Sequence, residues 1–125
     1  MYVLDSSAII EIFEEYPHMQ KILDILGDES FVTTSISMHE VFAGAHSQKD
    51  RFIVSGLFSQ AHILEHDAKA ARIGATIEQE LTHAGKMINR TDILIAGICK
   101  AHNAELVTLD KDFAKIKDIK VHIIN

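Results

Sequence analysis

The stretch "TDILIAGICKAHNAELVTLDKDF", Thr91 to Phe113, holds the two patterns that decide the fold. Its first part, "ILIAGIC", carries no charge for seven residues, and a helix apolar all round is a buried one. Its second part, "ELVTL" at 105 to 109, is a short apolar run closed by Asp110 and reads as a strand. A buried helix that feeds a strand within a few residues belongs to a sheet covered by helices.

Outward from this stretch the alternation continues. Strand-like runs occur at "YVLD" (2 to 5), "SFVTT" (30 to 34), "AHILEH" (61 to 66) and "KVHII" (120 to 124). Helical patterns fill every gap. The first helix begins after Asp5 or Ser6, where Ala8, Ile9, Ile12 and Phe13 recur at helical spacing. The second spans Pro17 to Leu26, with proline in the first turn and a stop at Gly27. "SISMHEVFAGA", "DRFIVSGLFSQ", "DAKAARIGATIEQELTHAG" and "TDILIAGICKAHN" supply four more. Alternating strands and helices imply parallel pairing with right-handed crossovers. The expected fold is α/β: a three-layer α/β/α sandwich around a mostly parallel sheet of four to five strands, in one domain over residues 1–125.

Composition narrows the function classes. Apolar residues make up 47% and charged residues 24%, with one proline and no low-complexity tract, as in an ordinary globular domain. The lone Cys99 excludes an internal disulfide framework. No segment reads as a signal peptide or a bilayer span, so the expected location is cytoplasmic and no membrane partner is expected. A net charge of -6 argues against nucleic-acid binding through a broad basic surface. It leaves open a nuclease with clustered carboxylates. Lys111, Lys115, Lys117 and Lys120 form a local basic set that suits either phosphates or a solvated helix and turn.

In an open parallel sheet, ligands bind outside the carboxyl ends of the strands. Asp5 and Asp110 both close apolar strands. Asp5 is also a good helix cap, and Asp110 a good turn former in "LDKDF". Asp92 follows Thr91, a suitable cap, and stands at the tip of the buried helix, where the helix dipole alone would favour an acid by about 0.3 to 1 kcal/mol. Glu40 has Ile36 and Gly44 one turn away on its own helix face, which turns its carboxylate toward a packed surface and suggests a close backbone approach at Gly44. Were these four to meet at separations of about 6 Å, each ionised pair would repel by about 3 kcal/mol at an effective dielectric of 20. Such a set must take up protons or bind cations. With oxygen donors alone it favours a hard ion, Mg²⁺ or Mn²⁺.

These residues resemble the PIN-domain ribonucleases, and most closely the VapC-type toxins of prokaryotic toxin-antitoxin pairs. The similarity runs through "YVLDSSAII", "SISMHEVFAG", "TDILIAGICKAHNAELVTLDKDF" and the final "VHII". It implies an acidic quartet of Asp5, Glu40, Asp92 and Asp110, with Asp5, Asp92 and Asp110 as metal ligands and Asp112 as an alternative fourth acid. Ser6 and Thr108 hold positions where relatives carry a hydroxyl beside the metal. The implied chemistry is hydrolysis of RNA phosphodiesters, in single-stranded or looped substrates, with one or two Mg²⁺ or Mn²⁺ ions. The implied partners are a second copy of the chain and a small antitoxin. Capping of the first helix then falls to Ser6 or Ser7.

Two other readings compete. A receiver-type phosphoacceptor domain needs an acidic pair near the first strand, whereas Ser6 follows Asp5. A non-catalytic PIN-like module binding RNA or protein would be marked by a lost acid, and none of the four is missing.

Overall fold

The computed structural model describes residues 1–125. Five short strands form one sheet: β1 (Tyr2–Leu4), β2 (Val32–Thr34), β3 (His62–Leu64), β4 (Glu105–Thr108) and β5 (Val121–Ile123). Their order is β3-β2-β1-β4-β5, and every pairing is parallel. Leu4 lies opposite Thr33 on one side and Val107 on the other, which brings the carboxyl ends of β1, β2 and β4 into line.

The helices are α1 (Ser6–Phe13), α2 (Met19–Leu26), α3 (Ser35–Ala43), α4 (Gln48–Ser59), α5 (Ala68–Ala84) and α6 (Arg90–Ala101), with a 3₁₀ turn over Lys111–Lys115. Successive strand residues point to opposite faces, and both faces are covered. Val3 and Leu106 enter a core shared with α5 and α6, while Leu4 and Val107 enter a second core with α1, α2 and α4. The expected three-layer sandwich is therefore present.

Several local expectations need correction. Proline does not open the second helix: α2 starts at Met19, two residues after Pro17, although Gly27 does end it with φ 56°. Thr91 does not cap α6; that position is Asn89, whose side chain makes no capping bond, and Arg90 and Thr91 fall in the first turn. The close backbone approach expected at Gly44 is absent, since a Cβ there would come no nearer than 3.6 Å to the Val41 carbonyl. It occurs instead at Gly97, where a Cβ would sit 2.8 Å from the Ala70 carbonyl oxygen and 3.0 Å from Gly74. The two glycines let α5 and α6 pack backbone to backbone. That contact lies five residues, about 7.5 Å of helix, from Asp92, and it sets where the tip of α6 falls.

Candidate active site

The β1–α1 and β4 ends are tied to each other by hydroxyls. The Asp5 amide donates to the Val107 carbonyl at 3.2 Å, extending the ladder by one residue. Asp5 is 3% exposed, and each of its oxygens has partners. Oδ1 accepts from the Ser7 hydroxyl at 2.6 Å and from the Ala8 amide at 3.1 Å; Oδ2 accepts from the Thr108 hydroxyl. The bond to Ala8 is the N-cap of α1. Capping therefore belongs to Asp5 and not to a serine, and one carboxylate both starts the helix and faces the strand ends.

Ser7, read from the sequence only as a possible cap for the first helix, takes a different role in the site. Its hydroxyl donates to Asp5, lies 3.3 Å from the Thr108 hydroxyl and accepts from the Leu109 amide at 3.0 Å. It thereby clamps the start of α1 to the end of β4. The available signal was a second hydroxyl two residues after a strand-closing acid.

The other acids arrive from three directions. Glu40, halfway along α3 and half-buried, accepts from the Ser6 hydroxyl at 3.2 Å, so its carboxylate does turn inward. The Asp110 amide donates to the Thr108 hydroxyl oxygen at 2.9 Å, and the Asp110 Oδ1 accepts from the Asp112 amide at 2.9 Å. It opens the 3₁₀ turn while facing Asp92. Asp112 stands apart: its side chain, 47% exposed, pairs with Lys115 at 3.2 Å. Of the two candidates for the fourth acid, only Asp110 acts on the others.

Asp92, 9% exposed, sits at the centre of this set. Burial first, then the negative charge of Asp110 and a hydrogen bond with its side chain, with Asp5 and Glu40 adding to them, pushes its carboxyl up from 3.8 to about 7. Burial also raises Asp5, against the bonds from Ser7, Thr108 and the Ala8 amide that favour its charged form. The Oδ2 atom of Asp92 is buried without a hydrogen-bond partner. An uncompensated carboxylate oxygen in a low-dielectric site is costly, and beside three other acids a cation is its natural partner.

The donor set fits a hard divalent ion. All of the converging groups are oxygens, and no three His, Cys, Asp or Glu side chains form a preformed cage. Mg²⁺ commonly uses one or two carboxylates and keeps several waters, so the oxygen donors of Asp5, Asp92 and Asp110 have the right chemistry for it. Cys99, by contrast, contributes nothing to such chemistry; burial pushes its thiol up to about 12.

Comparison with known proteins gives the family and the fold. The family model described as PIN domain matches residues 2–119. The tRNA(fMet)-specific endonuclease VapC of Salmonella typhimurium is 24% identical over 125 residues, covering 96% of this chain and 95% of that protein. Among solved structures, VapBC2 from Rickettsia felis, bound to a DNA fragment from its promoter, superposes with a TM-score of 0.87 at 22% identity, over 99% of this chain and 98% of the other. A toxin-antitoxin complex from Klebsiella pneumoniae gives 0.79 at 21% identity, over 95% of both chains. No helix is long and apolar enough to cross a membrane. With a family match across nearly its whole length and a fold shared with these structures, the chain belongs to the PIN-domain family.

Proposed function

We propose that this chain is a divalent-metal-dependent endoribonuclease, the toxin of a toxin-antitoxin pair, and that it cuts RNA in the pocket of Asp5, Glu40, Asp92 and Asp110. The observation that carries the reading is the partnerless, buried Oδ2 of Asp92 among three further carboxylates. The RNA substrate is supported by the likeness to an endonuclease named for a tRNA. The antitoxin is supported by the likeness to the toxin-antitoxin complex.

Asp5, Asp92 and Asp110 would hold Mg²⁺ or Mn²⁺, as one ion or two. When bound, such an ion neutralises charge on a phosphoryl oxygen and lowers the pKa of a water. The chain's own residues do the rest. Ser7, Thr108 and the Ala8 amide hold Asp5 in one orientation. Ser6 orients Glu40, whose carboxylate takes the proton of the attacking water. Thr108 joins Asp5 to the Asp110 amide, so the two acids keep a fixed spacing.

The test is cleavage of a mixed RNA pool with Mg²⁺ or Mn²⁺, with EDTA and the variants Asp5→Asn and Asp92→Asn as controls. Loss of cutting in all three controls is expected. Cutting that persists in EDTA, or in both variants, overturns the mechanism. A well-folded protein that never cuts is instead a binding module. Co-purification with a small protein encoded beside this chain tests the toxin assignment separately.

A further inference from the structure

A second cleft, of about 680 Å³, opens between the last turns of α5 and the segment that follows the 3₁₀ turn. It is roomy enough for a nucleotide-sized ligand. Lys86 and His83 stand on one wall, Lys115 and Lys117 on the other, and Ile77 and Ile116 lie between them. In a chain of net charge -6 this concentration of cations is local.

Its acids are fewer, and one is engaged: Asp118 pairs with Lys100 at 3.5 Å, which leaves Glu80. Lys86 and Lys117 have no carboxylate within ion-pair distance. Lys115 is held only by the exposed Asp112, a surface contact worth about 0 to 1 kcal/mol and easily exchanged for a phosphate.

Both walls are linked to the acids by short stretches of chain. From Lys86 the chain reaches Asp92 in six residues across the α5–α6 connection. From Asp110 the 3₁₀ turn reaches Lys115, about 10 Å of rise. These links place Lys86 within about 20 Å of Asp92 at full extension and Lys115 closer still to Asp110, a span of a few nucleotides of single strand. No Phe, Tyr or Trp lines it, and the His83 ring is its one aromatic group, so bases have little on which to stack and contact is chiefly with the backbone.

We infer that the α5 cleft, through Lys86, Lys115 and Lys117, binds the phosphate backbone of single-stranded RNA beside the scissile position. This rests on the nuclease reading for its substrate, and it adds a binding site separate from the acids.

The experiment titrates the full chain with a short labelled single-stranded RNA, in EDTA, across a series of salt concentrations. The double variant Lys86→Ala/Lys117→Ala is compared with Lys49→Ala/Lys69→Ala, which removes the same charge from exposed positions away from the cleft. Losing two phosphate contacts should weaken binding about tenfold at physiological salt and reduce the slope of log K against log salt by about 1.4. The control pair should bind as the wild type does.

Equal weakening by both pairs, or by neither, overturns the inference. So does unchanged RNA binding together with an altered sedimentation coefficient, which makes the cleft an interface between copies. A wild type that fails to cut with Mg²⁺ or Mn²⁺ while only the cleft pair loses RNA binding sinks the nuclease reading and leaves the cleft standing.

Discussion

Replacing Asp92 by asparagine should make the metal-free protein more stable at neutral pH. The folded carboxyl is raised from 3.8 to about 7, so between those values the folded state holds a proton that the unfolded chain has released. Wild-type stability therefore falls as pH rises through that window and levels off above it. At 1.36 kcal/mol per unit the full rise corresponds to about 4 kcal/mol, and relaxation of the surroundings at an effective dielectric near 20 reduces it to about 2 kcal/mol. The helix dipole opposes this by about 0.3 to 1 kcal/mol in favour of the charged form, too little to reverse the sign. Asparagine keeps the shape, removes the charge and offers an amide to the facing carboxylates. The assay is thermal unfolding in EDTA at pH 8 and at pH 4.5. A gain of about 2 kcal/mol is about 8 °C for a domain of this size, and it should shrink toward zero at the lower pH. Adding Mg²⁺ at pH 8 should raise the wild type more than the variant. An equal gain at both pH values, or a loss at pH 8, would show that Asp92 is not held in a repulsive, buried set.

Three further outcomes are expected. Asp110→Asn should lower RNA cleavage at least a hundredfold while Asp112→Asn stays within about threefold of wild type, because only Asp110 faces Asp92; initial rates of the two variants decide it. Ser7→Ala should cost about 1 to 2 kcal/mol in urea unfolding by leaving the Leu109 amide without its acceptor, and should lower activity by loosening Asp5; a variant with wild-type stability and rate would remove Ser7 from the clamp. Gly97→Ala places a Cβ 2.8 Å from a backbone oxygen, so α5 and α6 must separate at a cost of about 1 to 3 kcal/mol. An urea midpoint unchanged from wild type would contradict that contact.

Much of the architecture is legible in the chain because it is written in short-range patterns. The apolar run at 93 to 99 marked α6 as buried, and apolar runs closed by Asp5 and Asp110 marked the ends of β1 and β4. Glycines closed α2 and α5 where positive φ was needed, at Gly27 and Gly85. Boundaries governed by competing local bonds were less readable. Pro17 and Thr91 have the right chemistry for helix starts, but His18 and Asn89 take those positions in the fold.

The site divides in the same way. The residue types, and their placement at strand and helix ends, follow from sequence, since the carboxyl ends of parallel strands are where side chains converge. Which oxygen caps α1, which of Asp110 and Asp112 joins the set, and where a backbone approaches too closely for a side chain are not local properties. They depend on contacts between residues about a hundred positions apart, such as Ser7 with Leu109 and Thr108 with Asp5. The acids were determined by the chain's own pattern. Their shared, partly uncompensated charge exists only once the sheet brings β1 and β4 side by side, because repulsion and desolvation depend on distance and burial, which no linear spacing specifies.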